Sequence, residues 1–363
     1  MQLYVGLDVH SKSSVFVIQD ESGKVLGEGK APSTPAGLRG LRDRYHLPPG
    51  TAAALESGTN AFFVADELSA LELSPRVIDA AEVRARITRP LQRSDRRDAF
   101  ELCDGLRRGI YRSEVWVPPP TVRRVRQLLS RRRHFVNLKT AQVNAVKRLL
   151  RETGRAPLSR RLQVASGWEK LIQALADQEA LQSLVRCHQA VWLAAAEQVK
   201  HLETQLTEAT APWQPELDRL MTVPGVGRIV ATTFLAVVFD ARRFATAKRV
   251  ASYTGLVPST FQSGDRDRHG HITGRGSSEL RSMLCEAAQH AQRISSPLNP
   301  YYARIKARRG YRMAIVAVAH RLCRMLYAML RDGTAFDLAQ AGVEEGQFQK
   351  VSVRHYRLRS ALT

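Results

Sequence analysis

The chain has 363 residues, 44% of them hydrophobic, enough to bury a sizeable core and more than one domain. Its 55 Lys and Arg against 34 Asp and Glu leave a formal charge of +21, which excludes most soluble partners other than nucleic acid or an anionic membrane surface. No apolar run looks long enough to cross a bilayer, no signal peptide opens the chain, and the four cysteines (Cys103, Cys187, Cys285, Cys323) lack zinc spacing or a disulfide framework; a cytoplasmic nucleic-acid protein with buried thiols and no membrane partner is expected.

The first region, 1–115, opens on "LYVGLDVHSKSSVFVIQDESGKVLGEGKAP". Strands are predicted over 3–9, 14–20 and 25–30, joined as two hairpins by "HSKS" and "ESGK". A short helix over 35–45, an apolar strand "TAAALES", a helix "NAFFVADELSALEL", a strand over 76–78 and helical segments follow. Three antiparallel strands and then alternating helix and strand give the order of an α/β ribonuclease-H-like domain, with the first strand central in its sheet.

Asp8 sits inside that first apolar strand. Such an aspartate opens two enzyme groups, the sugar-kinase and actin-like ATPases and the ribonuclease-H-like nucleases. The first group follows it with a glycine-rich phosphate hairpin, and "DVHSKSS" has no glycine, so the nuclease order is preferred. In that order Asp8 and Glu56 lie on neighbouring strands, while Asp95 and Asp98 in "RSDRRDAFELCD" share one helix face at i, i+3. Four acids converging from two strands and a helix suit one or two magnesium ions. Each has an ordinary alternative: a strand-end turn for Asp8, a helix N-terminus for "SDRRD".

The second region, 116–212, has helical spacing and few glycines, and reads as an antiparallel helical hairpin or coiled coil. Residues 121–151 hold ten Lys and Arg and no Asp or Glu. That imbalance favours a phosphate-contacting face, with Arg123, Arg124, Arg131, Arg132, Arg133 and Lys139 as candidates, over a merely solvated one.

The third region, 213–340, is mainly α-helical. "VPGVGRIVA" places Gly225 and Gly227 in a turn between apolar helices, as helix-hairpin-helix elements do to present backbone N–H groups to a phosphate; an ordinary helix–helix turn is the alternative. In "YTGLVPSTFQSGDRDRHGHITGRGSSELRSMLCEAAQ" a polar, glycine-rich loop carries Ser263, Gly264, Arg266, Arg268, His269 and His271, then enters a helix near Ser278. A hydroxyl beside guanidinium groups suits attack on phosphorus; a flexible loop whose arginines only bind phosphate is the alternative. The tail, 341–363, is basic and lacks an apolar face.

These motifs, in this order, resemble the DEDD-type transposases of bacterial insertion sequences, the group called bridge-RNA-guided recombinases; the first domain also resembles the RuvC Holliday-junction resolvase. "YVGLDVHSKS" is similar to the family's first strand, "LESGT" to its glutamate-bearing strand end and "RSDRRDA" to its Lys/Arg-x-Asp-x-x-Asp-Ala. "PGVG", "GLVPSTFQSG" and the Gly-x-Ile helix start resemble its C-terminal transposase domain, so the likeness covers about residues 1–335. The resemblance implies Asp8, Glu56, Asp95 and Asp98 as magnesium ligands and Ser263 as a nucleophile that forms a phosphoserine link to DNA. It further implies donor and target DNA, a structured guide RNA, and a homo-oligomer (dimer or tetramer) whose hairpin makes dimer and RNA contacts and whose metal domain completes the serine site of another subunit.

One departure stands out. Where many members read Ile-Ser-Lys-x-Gly, this chain has Ile272, Thr273, Gly274, Arg275 and Gly276, leaving Arg275 to stand in for the lysine as a phosphate contact. The expected activity is a recombinase that cuts and rejoins DNA at sites chosen by RNA pairing. Its rivals are a junction endonuclease that uses water, and a binding scaffold with a decayed site.

Overall fold

The computed structural model describes residues 2–86, 94–154, 161–263 and 266–337, without the side chains of 161 and 260–269. Two compact units meet in sequence at Pro119 and Pro120.

The first unit is built on a five-stranded sheet. The chain runs β1 Leu3–Val9, β2 Ser13–Asp20, β3 Val25–Pro32, α1 Pro35–Arg44, β4 Ala52–Glu56, α2 Ala61–Ala70, β5 Ser74–Ile78, α3 Ala80–Arg86 and α4 Asp95–Arg107. The strand order is β3-β2-β1-β4-β5, antiparallel from β3 to β1 and parallel from β1 to β5. Tight hairpins require the antiparallel pairs, whereas the helical crossovers α1 and α2 permit the parallel ones. This mixed sheet with helices is compatible with the ribonuclease-H-like α/β order, and β1 is central.

Both faces of the sheet are covered. Val5, Leu7, Phe16, Ile18 and Leu55 pack with Leu38, Leu41, Val64 and Leu68 of α1 and α2. On the opposite face Val15 and Val17 meet Ala99 and Cys103 of α4, and Ala54 and Ile78 meet Leu102 and Leu106. The contact of α4 with β1 has almost no spare room: a Cβ on Gly6 would lie 2.1 Å from the Ala99 carbonyl oxygen and 2.5 Å from the Cys103 nitrogen.

The second unit begins with α5, Pro120–Glu152, which packs along α7, Glu179–Ala209. The links Arg132–Glu203 and Gln142–His188 run in opposite senses along the two helices, so the hairpin is antiparallel. Between them α6, Ala165–Gln173, carries Trp168, fully buried against Val146, Leu150, Val185 and Trp192. Where the hairpin meets the rest of the unit, Val125, Leu128, Leu129, Leu202 and Leu206 pack on Ala236.

The remaining elements are α8 Gln214–Met221, α9 Arg228–Val238, α10 Ala247–Tyr253, β6 Pro258–Ser263, β7 Arg266–Ile272, α11 Ser278–Ala288 and α12 Asn299–Asp332. Their core joins Leu217, Phe234, Val238, Leu280, Leu284, Val318, Leu322 and Leu326. Gly310 has non-helical dihedrals and interrupts α12. By length and composition α12 could cross a membrane, which corrects the expectation that no run is long enough; 56% of its apolar window is buried inside the protein, because this is the helix around which the core is assembled. The four cysteines are free thiols, but Cys187 is exposed on α7 and only Cys103 and Cys323 are fully buried, so the expectation of buried thiols holds for part of the set. The 341–363 tail lies outside the described residues.

Two glycine substitutions separate close packing from helix propensity. Gly6→Ala should destabilise the protein by about 1–3 kcal/mol, because backbone must move to admit the methyl group. Gly40→Ala, in α1 with nothing within 4 Å of its Cβ position, should be neutral or stabilising by up to about 1 kcal/mol. Urea unfolding of both variants checks the contrast.

Candidate active site

Strand parity sets the first group of residues. Because Val5 and Leu7 enter the core with α1 and α2, Tyr4, Gly6 and Asp8 face α4. The same parity on β4 sends Leu55 to that core and turns Ala54 and Glu56 toward α4. Leu7 pairs with Leu55 in the parallel register, so Asp8 and Glu56 follow one residue later at adjacent strand ends. Across from them α4 starts with Asp95 and Asp98 in its first turn. Ser94 caps this helix by accepting from the Arg97 N–H at 3.3 Å, so neither aspartate is needed as the cap.

The side chains converge as follows. His10 Nε2 lies 3.1 Å from Asp8 Oδ2 and 3.6 Å from Asp95 Oδ2, and the three side chains offer ligand atoms within 4.8 Å of one another. Asp8 is 17% exposed, against 49% for His10 and 54% for Asp95. Burial raises the Asp8 carboxyl above its usual 3.8; His10 offsets part of this, while Asp98 and Asp95 push it further up. Asp98 is thus close enough for its charge to be felt. Both Asp98 and Glu56 lie outside the 4.8 Å group.

His10 was not among the residues singled out from the sequence. Its signal was available, since residues i and i+2 of an extended segment share a face and His10 stands two after Asp8. It brings a donor that is cationic when protonated and a nitrogen ligand when neutral.

Ser263 lies in the second unit, in an antiparallel hairpin rather than the polar loop expected. β6 and β7 pair Ser263 with Arg266, Phe261 with Arg268 and Thr260 with His269. The sequence carried a hairpin signal here too, a Gly-Asp dipeptide between two short runs. Gly264 lies outside the described residues, and Ser263, Arg266, Arg268 and His269 are placed by their backbone alone.

The base of this hairpin is tied down. Arg281 of α11 donates from Nη1 to the carbonyl oxygens of Thr254, Arg275 and Gly276 at 3.0–3.3 Å. A Cβ on Gly276, whose φ is +78°, would lie 1.9 Å from the Tyr253 carbonyl oxygen. Arg275 itself is exposed, and α11 starts three residues later with Ser277 as its cap, accepting from the Leu280 N–H. Arg281 is a second residue that the sequence reading missed, since one arginine among 55 Lys and Arg gives no sign that it clamps backbone.

The basic helix divides its charge between inside and outside. Arg132 pairs with Glu203 at 2.6 Å, Lys139 lies 4.8 Å from the Trp192 ring centre, and Arg126 donates to the Ala236 and Val237 carbonyls at 2.7 and 3.2 Å. Arg124 and Arg131 are exposed, and Arg123 and Arg133 are half-buried. Arg133 and Arg132 also act on Glu279 of α11, whose carboxyl burial raises and these two cations pull back down.

The "PGVG" turn does join two helices, α8 and α9, but its glycines differ. Gly225, with φ +90°, faces Ala287 and His290, where a Cβ would meet atoms at 2.7–2.8 Å. Gly227 is exposed at the N-terminus of α9 with nothing within 4 Å of its Cβ position.

Similarity to known proteins agrees with this arrangement. Residues 217–303 match the family described as "Transposase IS116/IS110/IS902 family", and residues 5–154 match the DEDD transposase domain of IS110 elements, described as "Transposase". The chain is 27% identical over 321 residues to a probable family 20 transposase of Pseudomonas aeruginosa, covering 82% of this chain and 88% of that one. It is 25% identical to the transposase for insertion sequence element IS1328 of Yersinia enterocolitica, over 92% of this chain and 98% of that one. To the pilin gene-inverting protein of Moraxella lacunata it is 29% identical, over 46% of this chain and 54% of that one. The acidic cluster lies inside the 5–154 match and the serine hairpin inside the 217–303 match, and the chain belongs to the DEDD-type transposases of the IS110 insertion-sequence family, enzymes of DNA strand transfer.

Proposed function

We propose that the chain is the recombinase of its insertion sequence, cutting and rejoining DNA through a phosphoserine intermediate at Ser263, with magnesium at the acidic cluster and a guide RNA that selects target and donor. The carrying observation is the convergence of Asp8, Asp95 and His10, with Asp98 felt by Asp8, at the end of the central strand. Likeness to a protein named for inverting a pilin gene supports rejoining as well as cutting, since an inverted segment must be resealed. The first unit is taken as RuvC-like, the α8–α9 turn as a helix-hairpin-helix element, and the protein as a dimer or tetramer.

The donor set fits magnesium. Carboxylate oxygens are the ligands a hard cation takes, and Asp8 is half-buried and crowded by two like charges. Asp8, Asp95, Asp98 and Glu56 would hold the ion. Bound there, magnesium supplies Lewis-acid stabilisation of phosphodiester oxygens. Ser263 Oγ forms the new P–O bond as the P–O bond to the strand breaks, the serine proton is lost, and the departing strand oxygen is protonated. In the second step a strand hydroxyl attacks the same phosphorus and Ser263 leaves. One phosphodiester replaces another each time, so no energy source is required. The arginines of the basic helix and of β7 neutralise backbone charge, which is the contact a protein needs when RNA pairing reads the sequence.

Two experiments test this reading. In EDTA, Asp8→Asn should raise the melting temperature by about 1–3 °C, because it removes a carboxylate whose ionisation the fold opposes. The sign follows from the raised Asp8 carboxyl: the folded state holds its proton to higher pH, so this group weakens stability as pH rises above 3.8. Wild type should gain stability on adding magnesium and Asp8→Asn should not; equal gains would remove Asp8 from the site. Separately, the protein reacted with its flanking DNA, quenched and digested should carry a nucleotide on Ser263 by mass spectrometry, absent in Ser263→Ala and Asp8→Ala. Nicking without an adduct, undiminished in Ser263→Ala, would show a hydrolytic endonuclease instead.

A further inference from the structure

The second half of α12 carries three arginines on one side. Arg321, Arg324 and Arg331 stand at i, i+3 and i+10, on one side of the helix and spread over about 15 Å of its axis. With His320, Tyr301 and Tyr327 they line a cleft of about 610 Å³. Among the described residues no carboxylate lines this cleft. Arg331 pairs with Asp332 at 2.7 Å, but no described carboxylate pairs with Arg324.

The arrangement differs from a solvated charge run. Arg321 is half-buried, with its guanidinium 4.6 Å from the Tyr301 ring centre, and Arg304 lies 5.6 Å from the same ring. An aromatic face attracts a guanidinium and orients it. Burial lowers the affinity of Arg321 for its proton, and Arg304 and Arg324 act in the same direction. Burial and Arg324 likewise depress His320. Like charges crowded into a concave, partly desolvated place concentrate positive potential there, and the complementary ligand is an anion.

We propose that this cleft binds the phosphate backbone of a single-stranded nucleic-acid segment. Guanidinium groups match phosphate oxygens in charge and geometry. A concave basic groove with aromatic walls admits a flexible single strand, whereas a duplex presents its phosphates on a stiff convex surface. The proposal rests on the reading of the chain as a nucleic-acid strand-transfer enzyme, yet it uses none of the residues assigned to cutting or joining.

The test measures binding alone, in EDTA, so its failure is distinct from a failure of the serine chemistry. Fluorescence anisotropy would follow labelled single-stranded DNA, single-stranded RNA and duplex DNA on the full chain over a range of salt. Arg321→Gln combined with Arg324→Gln should weaken one or both single strands about tenfold at low salt and make the slope of log K against log salt shallower by about 1.4, two phosphate contacts at about 0.7 each. Whichever single strand loses affinity identifies the ligand as DNA or RNA. Arg242→Gln, at an exposed arginine paired with Asp240, should leave both quantities unchanged. In the wild-type protein, single strand should also protect Arg321 and Arg324 from phenylglyoxal, read by mass spectrometry. Unchanged affinity and slope, a loss confined to duplex, or no protection would overturn the proposal.

Discussion

The candidate metal centre depends on one close approach of backbone to backbone. Asp8 and Glu56 come from the sheet, Asp95 and Asp98 from α4, and the two sets can meet only if the helix lies directly on β1. Gly6 makes that possible, two residues before Asp8 and on the same face, where any side chain would push against the Ala99 carbonyl and the Cys103 nitrogen. Val15, Val17, Ala99 and Cys103 then seal the contact around it. A displacement of α4 by the width of one methyl group would carry Asp95 away from Asp8 and His10, whose oxygen and nitrogen atoms stand 3.1–3.6 Å apart.

The excess of positive charge, read as a whole, points to nucleic acid, yet individual arginines serve two different ends. Several are structural. Arg126 and Arg243 donate to the last carbonyls of α9, where a helix leaves acceptors without intrahelical partners. Arg281 gathers three carbonyls below the serine hairpin, and Arg132 ties the two long helices together. A hydrogen bond from a charged donor contributes about 1.5–3 kcal/mol, so these groups hold the scaffold as firmly as a buried leucine does. Composition cannot separate them from the arginines left to face phosphate; only the position of carbonyls contributed by distant segments does.

That distinction marks how far the sequence was legible. The period-2 runs and their turns specify β1 to β3, and the helical crossovers specify the parallel strands, because those signals are local. The long spacing of apolar residues specifies α5 and α7 for the same reason. Element order led to the expectation that Asp8, Glu56, Asp95 and Asp98 share a site, and in the structure Asp95 and Asp98 both act on the Asp8 carboxyl. His10 was missed although parity alone placed it beside Asp8. Arg281 could not have been found, since its partners Thr254, Arg275 and Gly276 are brought to it by the fold. The Ser263 segment lay between: its glycines suggested a loop, and the pairing of β6 with β7 removes that freedom.

The acidic cluster opposes the stability of the fold that holds it. Asp8 sits 17% exposed beside two other carboxylates, and its ionised form is disfavoured by burial first and by those neighbours next. A sequence selected for stability alone would place an asparagine or an apolar residue there, as the neighbouring Val9 and Leu7 positions show the strand can accept. His10, 3.1 Å from the Asp8 carboxylate, offsets part of that effect through its charge and its hydrogen bond. Burial combined with like charge at Asp8 is the environment in which functional carboxylates are found, and it makes the cluster a candidate cation site. Of the two ordinary readings, the helix N-terminus describes where Asp95 and Asp98 stand, in the first turn of α4 behind the Ser94 cap, whereas Asp8 lies within a paired strand, opposite Val15, and not in a turn.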